Sequence, residues 1–180
     1  MIKRSTILAV VFAFTAGPVA AQEFAPVTSV PMSALAPADE YFGHFQMSVL
    51  GIANTIRDAG RRLDESGATR SVISGPLTFV ADAIGAWERK YPSDPWIAKD
   101  LLALEIVYLQ AGTPEGTRRA RDTAAWLMKD YPATQYAALG QSELDEALGG
   151  GTVETAAYDP RAAWARFAAL RAPLPPGGPH

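Results

Sequence analysis

Apolar residues at Phe42, Phe45, Val49, Ile52, Ile56, Ala59 and Leu63 are spaced alternately three and four apart, a seam of period 3.5. The seam predicts a long helix from Ala38 to about Ser66, stopped by Gly67 and lying lengthwise on another helix. A second helical stretch is expected from Thr69 to Tyr91, started or kinked at Pro76, with Leu77, Val80, Ala81, Ile84 and Trp87 as its apolar stripe. The third begins near Asp94 or Pro95, since Asp caps helix ends and Pro suits the first helical position. Its stripe is Ile97, Leu101, Leu104, Tyr108 and Ala111, widened by Leu102, Ile106 and Leu109. Gly112-Thr113-Pro114 then ends one helix and opens another, which carries Ala120, Ala124, Trp126 and Leu127 to Tyr131. A fifth helix spans Thr134 to Leu148 and ends at Gly149-Gly150-Gly151. Asp159-Pro160 opens a short closing helix with Trp164, Phe167 and Leu170, which must dock on its predecessors because so short a helix is unstable alone. The class is all-α, with about six helices.

One block occurs twice, forty residues apart. Tyr91-Pro92 is followed by Trp96 and Ala98, and Tyr131-Pro132 by Tyr136 and Ala138, while Asp82 matches Asp122 and Leu104 matches Leu144. Each Tyr-Pro must end a helix, because Pro pushes the residue before it out of helical geometry. The aromatic five residues later can pack across the turn and set the angle at which the next helix leaves. Ala98 and Ala138 are small enough for close helix approach. Trp96 and Tyr136 are the candidate partner-binding residues if they project into a groove. A fixed period of this size points to stacked antiparallel helical hairpins, each burying a face that its neighbour cannot bury alone.

This stretch resembles the tetratricopeptide-like repeats of bacterial envelope proteins, among them outer-membrane assembly lipoproteins and cell-division coordinators. Ala120, Ala124, Leu127 and Pro132 stand at the small, small, large and Pro positions of the motif's second helix, and Val80, Ile84, Trp87 and Pro92 form a looser copy. The spacing exceeds the usual repeat of about 34 residues, and the lipid-bearing Cys of the assembly lipoproteins is absent. The resemblance implies a short array with a long opening and a short closing helix, which holds protein partners on a concave face and has no chemistry of its own.

The first residues read as an address. Lys3 and Arg4 precede an apolar run from Ile7 to Ala16, then Gly17-Pro18 and the small residues Val19-Ala20-Ala21, the layout of a secretory signal cleaved after Ala21. The run is too short, and too interrupted by Pro18, for a span of about 20 apolar residues. The expected organisation is a signal over 1–21, an extended Pro-containing linker over 22–37, the helical domain over 38–171 and a disordered Pro/Gly tail over 172–180. Such a chain is expected in the periplasm, without a membrane anchor. Removing Lys3 and Arg4 takes the net charge from −3 to −5, which disfavours nucleic acid and anionic lipid. The chain has no cysteine, so disulfides, thiol nucleophiles and thiolate metal sites are excluded.

Candidate chemistry is sparse. Glu40, His44 and Asp58 fall on the outer side of the expected first helix, but Glu40 and Asp58 would stand about 27 Å apart on it, and the only other histidine is His180. No metal site or cofactor is expected. Ser48 lies four residues from His44, without a carboxylate placed to orient the imidazole. Asp64-Glu65 and Asp145-Glu146 read as solubilising pairs, and Gly149-Gly150-Gly151 follows a helix and lacks the Lys of a phosphate loop. The chain thus reads as a non-enzymatic module for unidentified protein partners. The alternative is a small ligand carrier or enzyme with a pocket between the first helix and the repeats. Self-association through the seam is a third reading, which requires Phe45, Val49 and Ile52 to be exposed.

Overall fold

The computed structural model describes residues 34–66, 69–149, 158–170 and 172. The signal over 1–21, most of the linker over 22–37 and nearly all of the tail over 172–180 lie outside them. The described chain is a helical bundle preceded by a minimal hairpin of β1 (Tyr41–Phe42) and β2 (Met47–Ser48). Six helices of ten or more residues follow, with one short turn of helix among them. They are α1 (Val49–Ser66), the short α2 (Thr69–Ile73), α3 (Pro76–Lys90), α4 (Pro95–Gln110), α5 (Pro114–Asp130), α6 (Gln135–Leu148) and α7 (Pro160–Ala169).

The middle of the bundle is α4. Apart from Glu105 and Asp100, its residues from Ile97 to Leu109 are apolar on every side except at Lys99, the pattern of a helix enclosed rather than laid on a surface. It is covered by α1, α3, α5, α6 and α7. Ile52, Ile56, Ala59 and Leu63 of α1 and Leu77, Val80, Ile84 and Trp87 of α3 are buried with it. The seam from Ile52 onward is therefore covered within the chain; of Phe45, Val49 and Ile52, the first is exposed, the second half-buried and the third buried.

The expected start of the first helix at Ala38 is corrected to Val49. Gly43 and Gln46 take left-handed backbone angles, φ +70° and +48°, which turn the chain between β1 and β2. A Cβ on Gly43 would stand 2.9 Å from the Cα of Ala83, so glycine is what lets this turn lie against α3. Phe42 thus reaches the core from a strand, stacked on Trp87 at 5.8 Å and edge-on to Tyr91 at 6.2 Å.

Residues 36–44 form a strap running antiparallel to α3. The Ala36 amide donates to Asp94 (2.9 Å), Glu40 accepts from both Lys90 and Tyr91, Phe42 meets Trp87, and the His44 amide and Nδ1 both meet the Asp82 carboxylate (2.8 and 2.9 Å). These contacts hold the Asp82 carboxyl below its ordinary pKa, chiefly through the His44 amide. Glu40 is lowered by Lys90 first and Tyr91 second.

The helix ends follow their residues. Asp94, Thr113, Thr134 and Asp159 each accept from an amide in the first turn of α4, α5, α6 and α7 respectively. Gly112 takes φ +60° at the break between α4 and α5. The stretch from Thr69 to Tyr91 is divided rather than kinked: α2 ends at Ile73 and α3 starts at Pro76.

Asp94 does more than cap. While Oδ1 takes the Trp96 amide (3.1 Å), Oδ2 takes the Trp87 indole (3.0 Å) and the Ala36 amide. Thr134, forty residues on, accepts from the Ala137 amide (3.1 Å) and donates to the Tyr131 carbonyl of its own turn (2.8 Å), with no contact to another segment among these bonds. Asp94→Ala should therefore cost about 3 kcal/mol, a lost cap plus a buried donor left unpaired, against about 1 kcal/mol for Thr134→Ala. Urea denaturation of both variants checks this; equal costs would show that the indole and strap contacts contribute nothing.

Candidate interaction surface

The two Tyr-Pro turns have one backbone. Tyr91 and Tyr131 leave the helix at φ −131° and −130°, their amides bond Trp87 and Leu127 (2.8 and 2.9 Å), and their carbonyls accept from Asp94 and Thr134 (3.0 and 3.1 Å). Pro92 and Pro132 are exposed at the tips. The side chains differ. Tyr91 is half-buried with its hydroxyl on Glu40, whereas the Tyr131 hydroxyl is buried without a hydrogen bond, and burial followed by the nearby Glu88 carboxylate pushes its pKa up. Glu88 itself accepts from the Trp126 indole at 2.9 Å.

Four of the site residues read from the sequence need comment. Ala98 is buried as close packing requires, but Ala138 is exposed; on α6 the inward small residues are Ala137 and Gly140. Ile97 and Ala137, Asp100 and Gly140, and Leu104 and Leu144 are buried in both copies, but α4 is enclosed on every side while α6 keeps an outer face, on which Ala138 lies. Tyr136, 4% exposed, packs in the core. Trp96 is half-buried, with the Lys99 ammonium 4.7 Å above its ring. The same ammonium stands 5.9 Å from the Phe167 ring, which places Trp96 at the edge of the ground covered by α7.

Two features were missed. The first is a polar cluster where α4, α6 and α7 meet. Glu105 is wholly buried and neither of its carboxylate oxygens has a hydrogen bond. Gly140 makes room for it, since a Cβ there would stand 2.6 Å from Oε2. Burial first and Glu143 second push its carboxyl up to about 9, so it is a neutral acid at neutral pH. Glu143, 1% exposed, is met by a forked Arg166 (2.6 and 2.7 Å), which also reaches Glu146 (2.9 Å). The Tyr158 hydroxyl is buried without a hydrogen bond, and burial followed by Glu143 raises its pKa. Glu105 interrupts the run from Leu101 to Leu109, and a lone acid inside so apolar a stretch was the available signal. The 23-residue separation of Glu143 and Arg166 gave none.

The second is an exposed pair of aromatic rings with two further exposed apolar residues near it in sequence. Tyr41 (63% exposed), Phe45 (62%) and Leu50 (65%) fall within ten residues of one another, and Phe79 (36%) lies against Phe45 with ring centroids 3.7 Å apart. Large apolar side chains grouped on a surface mark an interaction site more often than scattered ones do. Its neighbours His44 and Asp82 form the strap contact already described. The Ser48–His44 pair considered for catalysis is not assembled: the Ser48 hydroxyl accepts from the Gly51 amide at the start of α1. Among the described residues, no group of three His, Cys, Asp or Glu side chains is placed to hold a metal ion, and no helix is long and apolar enough to cross a membrane.

Two buried acids set the pH dependence. Asp100 is raised to about 7, by burial against the opposing pull of Lys99, and Glu105 to about 9. Both folded values lie above the unfolded ones, so the fold favours the protonated forms. The associated stability is complete below about pH 4 and is lost as pH rises through 7 and then 9. Melting temperature should fall from pH 5 to pH 9, and Glu105→Gln, which keeps the shape and removes the proton, should raise it at pH 8 and flatten the slope. A wild-type profile that is level or rising over this range, or a Glu105→Gln variant that is less stable at pH 8, would refute the assignment.

No protein-family model matches the chain, and no curated protein or solved structure matches it either.

Proposed function

We propose that this chain is a protein-interaction module of the bacterial cell envelope, an adaptor or scaffold carried to the periplasm by the leader over residues 1–21 and without chemistry of its own. The reading takes the bundle as a short tetratricopeptide-like array. Its support is the matched backbone of the two Tyr-Pro turns, together with the packing of α3 on α1, of α5 on α4, and of α6 on both α4 and α5. The observation that carries the function is the exposed Phe45–Phe79 ring pair, with Tyr41 and Leu50 exposed near it in sequence. A chain that buries Phe42, next to Tyr41 and three residues before Phe45, leaves these four in water, a cost that a partner surface recovers.

The strap supplies rigidity. Phe42, His44 and Gly43 fix the turn onto α3, so Phe45 and Phe79 are presented already in contact and little ordering is needed on binding. Interfaces concentrate their free energy in such aromatic groups.

Photo-crosslinkable phenylalanine analogues at Phe45 and Phe79, in cells expressing the full chain, should yield discrete adducts in the periplasmic fraction. A Phe45→Ser, Phe79→Ser variant with unchanged melting temperature should lose partner capture by about tenfold or more, the effect of about 1.4 kcal/mol or more at an interface centre. Adducts absent at both positions, or capture unchanged in the folded variant, would remove the ring pair as the binding surface. Recovery of the chain with cytoplasmic markers would remove the envelope assignment.

A further inference from the structure

Phe45 and Phe79 are brought together by two stretches of chain that share one property. Phe45 opens a run of twelve residues without a charged side chain, 45–56, and Phe79 lies in a run of eleven, 71–81. Among the described residues the only other run as long is 131–142, whose exposed members are Pro132, Ala133, Ala138 and Ser142, none of them a large apolar residue. The two runs meet where the rings touch, with centroids 3.7 Å apart. Tyr41 pairs with Ser48 across the hairpin, which sets it beside the start of α1, where Leu50 is exposed as well. Exposed polar residues within the runs include Gln46 and Ser74, whose amide and hydroxyl both donate and accept. Asp82, one turn from Phe79 on α3, is engaged by the amide and Nδ1 of His44.

This composition selects the occupant. A contact between two identical faces related by a two-fold axis sets each group near the axis against its own twin. Charged groups fail there because like charges meet, whereas rings, aliphatic side chains and groups that donate and accept alike succeed. The stretches around Phe45 and Phe79 offer the second kind only. They also give an oppositely charged partner nothing to be steered by. The exposed parts of Tyr41, Phe45, Leu50 and Phe79 amount to on the order of 400 Å² per copy, about half of the area that each partner buries in a stable complex. A contact of that size is weak, and it fills only when copies are concentrated or held side by side.

We infer that Phe45 and Phe79 form the centre of a weak two-fold contact with a second copy of this chain. This rests on the interaction-module reading and names the partner at that surface. The contact runs through the rings and not through the apolar seam of α1, whose Ile52 and Ile56 are buried within the chain. Both copies carry a net negative charge, so their long-range repulsion opposes the contact and salt relieves it. The dependence on salt is therefore the reverse of that of an interface held by ion pairs.

Sedimentation equilibrium of the chain, purified as cells accumulate it, tests this. Up to about 1 mM protein the mass should rise from that of one chain towards that of two, with a dissociation constant above about 10 µM. Raising the salt should strengthen the association or leave it unchanged. A Phe45→Ser, Phe79→Ser variant with unchanged melting temperature should associate about tenfold or more weakly. Gln46 already carries a side chain at φ +48°, so Gln46→Lys and Gln46→Glu keep the turn. Each should associate less than the native chain, and an equimolar mixture of the two should associate more than either alone, as only a contact between equivalent positions allows. A chain that stays single at the highest concentration, an association that survives the serine variant, or a mixture no better than its components overturns the inference. The photo-adducts at Phe45 and Phe79 separate this inference from the reading beneath it. Adducts of twice the chain's mass support both, adducts with a different protein from a chain that stays single overturn the second copy and leave the interaction reading standing, and absent adducts with no self-association remove both.

Discussion

A carboxyl group buried in a helical core must be a neutral acid, stand beside a cation or accept from N–H donors, and the arrangement around α4 uses all three. Glu105 is kept as the acid, facing Gly140, and Glu143 across from it is kept as the anion, facing Arg166. The positions of α6 and α7 follow. Gly140 sets how closely α6 approaches α4, and Arg166 sets where α7 lies along α6. At the other end of α4, Asp94 joins the cap of that helix to Trp87 of α3 and to the strap. The central helix is thus tied at its head by a buried acid whose partners come from different elements, and it carries a second buried acid, without a hydrogen bond, where α6 meets it.

Local rules made most of the fold legible. Asp94, Thr113, Thr134 and Asp159 each stand directly before the first residue of a helix, and each caps as its chemistry dictates. Tyr-Pro ends a helix for a steric reason that needs no tertiary context. The failure at residues 38–48 is equally instructive. Phe42 and Phe45 fit a 3.5-residue period as well as Ile52 and Ile56 do, because spacing records which residues are apolar and not which backbone delivers them. Gly43 was the dissenting signal. The site was less legible than the fold, since the pairings of Glu143 with Arg166 and of Asp82 with His44 arise only when segments distant in sequence meet. Tyr136 and Ala138 show the same limit in the repeat: forty residues of offset preserve the turn, but they do not preserve how much of each side chain is covered.

The two copies of the turn also divide their labour. Near Tyr91 the polar groups are occupied by a foreign segment, with Glu40 on the hydroxyl and Ala36 on the cap. Near Tyr131 the hydroxyl stays unpaired. The first turn is a junction of three chain segments and the second a junction of two, which explains how one backbone conformation supports side-chain environments so different in polarity.

The strap gives the molecule a mechanical property. Its first contact, the Ala36 amide, ends on the carboxylate that also starts α4 and holds Trp87. Tension applied through the chain ahead of Ala36 is therefore delivered to the head of the central helix before it reaches the hairpin or α1, although α1 is the first helix in sequence. The load path enters the bundle at its middle, and a tether on that side would pull on the part of the fold with the most neighbours to share the force.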